Sequence, residues 1–246
     1  MIHRAIEERI HNALAKKKAV TIMGPRQVGK STLADAIIPK DARILEINGD
    51  NTDVQTMFIN VDEAKMKVLI GNKNFLFVDE AQKIENVGNM LKIVAEKFKD
   101  VKIIVTGSSA FKLAEAVNES LTGRKREFRL YPLSFKEMAD ETSTLEESRM
   151  IDHRLIYGYY PEVVTSPGDE KEVLKELIDS YLYKDVMEEN HIAKPDKLVK
   201  LVQALAFQIG STISANELAG LVGIDAKTVE RYIEILEKSY IIFTLP

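Results

Sequence analysis

Cysteine is missing from all 246 positions. Its absence excludes a disulfide framework and any thiolate metal site, and it fits a reducing, cytoplasmic compartment. Histidine is scarce: His3, His11, His153 and His191 are scattered along the chain and build no imidazole-rich metal centre. Long hydrophobic runs are lacking as well. No stretch reaches the roughly eighteen apolar residues that a membrane-spanning helix needs, so no membrane partner is expected. The opening MIHRAIEERIHNALAKKK carries too many charges for a secretory signal. Internal repeats and low-complexity tracts are absent.

What is present is an ordinary globular composition, 45% hydrophobic and 29% charged. The chain is longer than most single domains require, which suggests one domain with a smaller attachment. Net charge is -4, but unevenly spread: residues 1–130 hold 22 Lys/Arg against 17 Asp/Glu, and residues 131–246 hold 12 against 21. The first half favours an anionic ligand, and the acidic second half is a poor nucleic-acid surface.

Ile2, Ile6, Ile10 and Leu14 recur at steps of four and predict a helix over 2–15. Short apolar runs at Ala19–Met23, Arg43–Ile47, Phe75–Val78, Val101–Val105 and Glu127–Leu130 read as strands. Helical patterns lie between them, at 31–38 and along Met90, Leu91, Val94, Ala95 and Phe98. Alternation of this kind implies a parallel sheet with helices on both faces. Residues 133–192 read as mostly helical, with breaks at 157–161 and 166–168. Beyond them, a face of Leu198, Leu201, Val202, Leu205, Ala206 and Ile209 is followed by two capped helices. Ser214 with Glu217 opens the first, Gly223 turns the chain and Asp225 opens the second. A strand is expected at Ile241–Phe243, completing the order of a truncated winged helix-turn-helix. The expected division is 1–132, an α/β P-loop domain; 133–192, a helical lid; and 193–246, an incomplete winged-helix unit.

Residues 24–32, GPRQVGKST, fit G-x-x-x-x-G-K-[ST]. Glycines let such a loop turn its N–H groups inward onto phosphate oxygens, and the following helix adds its positive end. Gly24, Pro25, Arg26, Gln27, Val28, Gly29, Lys30, Ser31 and Thr32 are therefore the candidate nucleotide cradle. Lys30 would reach the β- and γ-phosphates, and Ser31 would ligate Mg²⁺. The apolar strand that runs into Asp79 and Glu80 places a carboxylate for the metal, with Glu80 beside it as general base for the attacking water. Between Lys30 and Asp79 lie 48 residues, room for a helix, an intervening strand and a crossover. After the fourth strand, Thr106 or Ser108 either senses the γ-phosphate or simply closes a polar turn with Gly107 and Ser109. In Gly123-Arg124-Lys125-Arg126, an arginine either contacts the γ-phosphate, within the chain or in a neighbouring subunit, or belongs to a solvated surface run. Arg26 either pairs locally or reaches a neighbour's nucleotide.

With those residues placed, the chain resembles a prokaryotic family of AAA+-like ATPases that join the ATPase domain to a C-terminal domain of unknown function. The resemblance rests on GPRQVGKSTL (24–33), LFVDEAQK (76–83), IIVTGSSAFKL (103–113), LTGRKREFRLYPLSFKE (121–137) and KTVERYIEILEKSYII (227–242). It implies ATP as the nucleotide, a strand between the loop strand and the Asp-Glu strand, and Glu80 as the catalytic acid. It also implies a first sensor residue at Thr106 or Ser108, and Arg124 at the family's Gly-Arg. A DNA or protein client and a homo-oligomer are the partners it suggests. Two features depart from the family: the glycines expected before Pro161-Glu162 are altered in Tyr157-Gly158-Tyr159-Tyr160, and the chain stops at Pro246, where members continue into a domain resembling restriction-endonuclease folds.

The rival reading is a nucleotide-regulated DNA-binding protein with little turnover. Its recognition helix, residues 225–238, would carry Lys227, Arg231 and Lys238 against Asp225, Glu230, Glu234 and Glu237, a poor charge balance for phosphate neutralisation. A GTPase is disfavoured because Asn72-Lys73-Asn74-Phe75 lacks the aspartate of N-K-x-D. A small-molecule kinase lacks an acceptor site, and a helicase lacks a second motor domain.

Overall fold

The computed structural model describes residues 2–59, 61–108, 120–187 and 192–245, with the side chains of 182–185 excepted. Ser109 of the polar turn and His191 lie outside the described residues. The chain divides into two compact units, 1–170 and 171–246.

The first unit is built on five strands: β1 (Ala19–Met23), β2 (Ile44–Asn48), β3 (Phe75–Asp79), β4 (Lys102–Gly107) and β5 (Lys125–Arg129). All neighbours pair in parallel, in the order β2-β3-β4-β1-β5. Strand β4 thus lies between the loop strand and the Asp-Glu strand, as the family resemblance implies. Parallel strands joined by crossovers bring every C-terminal end to one edge of the sheet, where ligands of such folds bind.

Alternation along the strands sets the two faces. Val20, Ile22, Phe75, Phe77, Ile104, Phe128 and Leu130 pack with Ile10 and Leu14 of α1 (Glu7–Ala15) and with Leu33 and Ile37 of α2 (Lys30–Ile37). On the other face Leu76, Val78, Ile103 and Val105 are equally buried. Strands buried on both sides explain why β1, β3 and β4 read as unbroken apolar runs rather than alternating ones. The β2–β3 crossover carries two helices, α3 (Thr52–Phe58) and α4 (Glu63–Ile70). A short 3-10 turn (Ala81–Lys83) and α5 (Val87–Lys97) follow β3.

After β5 the chain turns helical, with α6 (Phe135–Glu141), α7 (Thr144–Arg149), α8 (Ile151–Tyr157) and α9 (Pro161–Thr165). The breaks fall at Gly158 and Gly168, whose φ angles of 76° and 101° suit glycine.

Helix α10 (Glu170–Ile178) starts at the last residue of the first unit and leads, within the second, into a π-helical stretch, Asp179–Met187. It is followed by α11 (Pro195–Ala206), α12 (Ala215–Val222) and α13 (Ala226–Lys238). Ser214 accepts from the Glu217 N–H and Asp225 from the Thr228 N–H, the two caps expected. Gly223 takes the left-handed conformation between them. Leu198, Leu201, Leu218, Val222, Val229, Tyr232 and Leu236 form this unit's core.

Two expectations change. The first helix begins at Glu7, not Ile2, because Arg4 is committed elsewhere: its N–H donates to Glu7 Oε1 and its carbonyl accepts the Glu7 N–H. The strand expected at Ile241–Phe243 is not formed; residues 242–245 have no ladder partner among the described residues, and a strand needs one. The described C-terminal unit is helical, without a wing.

Ile104 is wholly buried in the central strand β4. Ile104→Ala is expected to destabilise the first unit by about 2–5 kcal/mol, read by denaturant titration.

Candidate active site

The loop leaves β1 at Met23 and enters α2 at Lys30, and its two glycines are needed for different reasons. A Cβ on Gly24 would stand 2.0 Å from the Leu130 carbonyl oxygen, so the loop can run past the end of β5 only without a side chain there. Gly29 has φ +91°, a left-handed conformation that leads into α2. Gln27 is also left-handed, at φ 56°. Lys30 is 5% exposed and its ammonium donates to the Gly24 and Pro25 carbonyls, at 3.1 and 2.8 Å. Burial pulls the ammonium below its ordinary value; the Glu80 and Asp79 charges oppose that pull, and the nearby Arg26 adds to it.

Ser31 Oγ donates to Asp79 Oδ2 at 2.8 Å. The other oxygen, Asp79 Oδ1, accepts from the Thr106 hydroxyl and from the Glu80 N–H. That N–H also lies 3.3 Å from Thr106 Oγ1. Glu80 is left-handed at φ 47°, and its Oε2 accepts from Ser108 Oγ at 3.0 Å and from Gln82 Nε2 at 2.6 Å. Behind it, a Cβ on Gly49 would fall 2.3 Å from the Glu80 carbonyl oxygen, so β2 can end against the Asp-Glu turn only as glycine. The structure therefore brings Ser31, Asp79, Glu80, Thr106 and Ser108 into one hydrogen-bonded chain at the strands' C-terminal edge, beside Lys30. The sequence left Thr106 and Ser108 as alternatives; each holds a different carboxylate.

Arg124 is not brought there. Its carbonyl accepts the Ala19 N–H at the opposite end of β1, and its guanidinium pairs with Glu96 at 2.9 Å. Five residues of strand put about 13 Å between that end and the loop. Arg126 pairs in register with Val20, in the same distant half of the sheet. Contact between these arginines and a phosphate held by the same chain's loop is excluded by this topology.

The sequence reading missed Arg4. Its guanidinium donates to the Val28 carbonyl in the loop at 3.0 Å, to the Tyr131 carbonyl at 2.6 Å and to Glu137 Oε1 at 3.1 Å. Glu137 also accepts from the Ala5 and Ser134 N–H groups, closing a capping box on α6. Burial pushes the Glu137 carboxyl up, but those backbone donors and Arg4 outweigh it and hold it below its ordinary value. The S-x-x-E spacing was legible; a partner 133 positions away was not. Beside this pair a cavity of about 470 Å³ opens between the loop and the segment after β5, lined by Ile2, Val28, Thr32, Leu133, Pro161 and Val164 among others.

Comparison with known proteins follows the same lines. Residues 16–139 match an AAA domain family, and residues 148–246 match a domain of unknown function. The chain belongs to the AAA domain family. An uncharacterized protein of Methanocaldococcus jannaschii is 27% identical over 98% of this chain and 59% of its own length. One of Haemophilus influenzae is 25% identical over 70% of this chain and 45% of its own. The chain thus spans about half the length of these curated relatives. In structure it is similar to the Walker-type ATPase PABY2304 of Pyrococcus abyssi, with a TM-score of 0.60, 16% identity and coverage of 97% and 90% of the two chains. The fold is that of a P-loop ATPase. No helix among the described residues is long and apolar enough to cross a membrane.

Glu137→Gln removes one charge of a pair whose side chains are only 8% and 9% exposed. A loss of about 3–5 kcal/mol is expected near neutrality. Because the folded carboxyl titrates below its ordinary value of 4.5, its contribution is complete above that value and disappears as pH falls through the lowered one. Stability curves of the parent and Glu137→Gln, measured against pH, should therefore converge in acid.

Proposed function

We propose that this chain binds ATP with Mg²⁺ and hydrolyses it. The observation that carries the reading is the unbroken chain of hydrogen bonds from Ser31 through Asp79 and Thr106 to Glu80 and Ser108. Ser31 and Asp79 supply two hard oxygen donors, and no cluster of three or more His, Cys, Asp or Glu competes among the described residues. That donor set suits Mg²⁺, which keeps waters and phosphate oxygens for its remaining positions. When bound, the ion offsets charge on the β- and γ-phosphates.

Lys30 and the loop N–H groups of residues 26–32 hold the phosphates. Thr106 fixes Asp79 from the side away from Ser31, so the metal-facing oxygen keeps its direction. Glu80 takes a proton from the attacking water as the water oxygen bonds to the γ-phosphorus and the bridging P–O bond breaks, leaving ADP and phosphate. The cavity behind Thr32 accommodates the base. A guanine reader at residues 72–75 is disfavoured by its place: Asn74 Oδ1 caps the Arg43 N–H, and Phe75 begins β3 at the edge away from the loop.

The Arg4–Glu137 pair ties the Val28 carbonyl to the start of α6, giving the loop a route to the helical segment that follows. Movement of that segment on hydrolysis would act on a DNA or protein client. Arg124 would serve a phosphate only across an interface between copies of the chain. The rival reading, a DNA-binding regulator, finds less support: α13 spends Val229, Tyr232 and Leu236 on its own core, and Lys238 pairs with Glu234.

Phosphate release from Mg·ATP by the purified chain tests the proposal. Lys30→Ala is expected to lose nucleotide binding and turnover together. Glu80→Gln is expected to keep ATP bound while turnover falls by roughly 10²–10⁴-fold. Failure of the parent chain to bind ATP at all would overturn the reading.

A further inference from the structure

Gln82 is assigned no part in the site by its motif or by any comparison, yet its amide nitrogen makes two hydrogen bonds there. One goes to Glu80 Oε2 at 2.6 Å and one to Ser108 Oγ at 2.9 Å. Ser108 in turn donates to the same Glu80 oxygen at 3.0 Å. Amide, hydroxyl and carboxylate form a closed triangle in which both bonds to Glu80 fall on Oε2.

The backbone explains how a residue two positions on can face back. Glu80 is left-handed, at φ 47° and ψ 45°, which bends the chain sharply after β3. The turn is closed by the Lys83 N–H on the Glu80 carbonyl and anchored by Ala81, which is wholly buried. A left-handed glutamate is strained, and strain of this kind persists only where surroundings over-determine it. Here the surroundings include Gly49 behind the carbonyl and Gln82 in front of the side chain.

Residue type matters at this position. A primary amide has two donors on one nitrogen, so it can bridge a hydroxyl and a carboxylate without adding charge. Lysine would neutralise the base, glutamate would repel it, and methionine would fill the space without holding anything. The carbonyl oxygen of the same amide is buried and has no hydrogen-bond partner among the described residues. A buried acceptor left open beside a base calls for a donor that enters the site, and water is the donor that hydrolysis requires.

We propose that Gln82 is a positioning residue: its amide, with Ser108, fixes the Glu80 carboxylate by one oxygen and leaves the other to meet the attacking water. The proposal rests on the reading of Glu80 as the general base, and its test separates the two.

Gln82→Met and Gln82→Glu would be compared with the parent for single-turnover hydrolysis, affinity for Mg·ADP and thermal unfolding midpoint. Both variants are expected to slow hydrolysis by roughly tenfold to a hundredfold, the scale of a misplaced catalytic group. Mg·ADP affinity should stay within about twofold, since the amide makes no hydrogen bond to the loop, and the midpoint should fall by only a few degrees, the scale of one or two lost hydrogen bonds. Hydrolysis by Gln82→Met at the parent rate would overturn the proposal. So would a loss of nucleotide affinity and midpoint in step with rate, which would make Gln82 merely structural. A parent chain that binds nucleotide without turning it over would sink the ATPase reading alone. Gln82 is then judged by affinity for Mg·ADP with aluminium fluoride: the proposal requires the parent to bind this mimic more tightly than Mg·ADP and Gln82→Met to lose that preference, and equal preference in both would refute it.

Discussion

One carboxylate joins the elements on which the site depends. Asp79 ends β3, takes the Ser31 hydroxyl of α2 on one oxygen, and takes the Thr106 hydroxyl of β4 on the other. Both contacts exist only because β4 lies between β1 and β3 and all three run parallel. Had the strands been ordered by sequence, β2 would lie between β1 and β3 and β4 on the far side of β3, so Ser31 and Thr106 would approach Asp79 from opposite sides rather than along one edge. Sheet topology thus performs the alignment, and short polar side chains are needed only at the C-terminal ends of β3 and β4 and the start of α2. The interiors of β1, β3 and β4 are free to be apolar, which is what makes the sheet stable.

A rigid edge is not sufficient for a loop of six residues. Gly24 clears the Leu130 carbonyl, and Arg4 holds the Val28 carbonyl from behind. The arginine is itself held by Glu137, so the loop's shape is set by groups outside it. This division suits a phosphate-binding loop. Its N–H groups must point inward unpaired to receive an anion, so the restraint has to come through carbonyls on the outer side. Arg4 supplies that restraint as a donor with a fixed planar fork, a task a lysine would perform with less definition.

Legibility in the sequence followed the range of the interactions. Loop and Asp-Glu strand were legible because each is a contiguous run whose chemistry demands a spacing. The strands' placements came within a residue or two because buried parallel strands are short and apolar. The strand order was not legible from periodicity at all; the family resemblance implied only that one strand separates the loop strand from the Asp-Glu strand. Arg4 with Glu137 was hidden because a pair 133 positions apart leaves no pattern in one sequence. Gln82 was hidden for another reason: its meaning depends on a left-handed turn at Glu80, a conformation that residue type does not suggest. For Arg124 the sequence left contact within the chain, contact in a neighbouring subunit and a surface run open, because proximity in a motif says nothing about which end of a strand a residue occupies. The expected strand at Ile241–Phe243 was a propensity without a partner, and isolated β-propensity does not build a ladder.

Lys30 shows how the assembled site would suit an anion under the proposed reading. Burial costs its ammonium solvation, and two loop carbonyls replace that water only in part. Asp79 and Glu80 favour the charged form, yet Asp79 is already engaged by two hydroxyls and Glu80 by Ser108 and Gln82. Neither carboxylate makes a direct pair with the lysine. An ammonium kept close to carboxylates but not paired with them retains its strongest interaction for a ligand. Phosphate oxygens carry formal charge where the carbonyls carry only dipoles, so exchanging the Gly24 and Pro25 contacts for phosphate strengthens both bonds at once. The hydroxyls of Ser31, Thr106 and Ser108 are therefore more than links in the chain. By occupying the carboxylates they keep Lys30 from collapsing onto Asp79 or Glu80, which would close the site with an internal salt bridge and leave the loop nothing to bind.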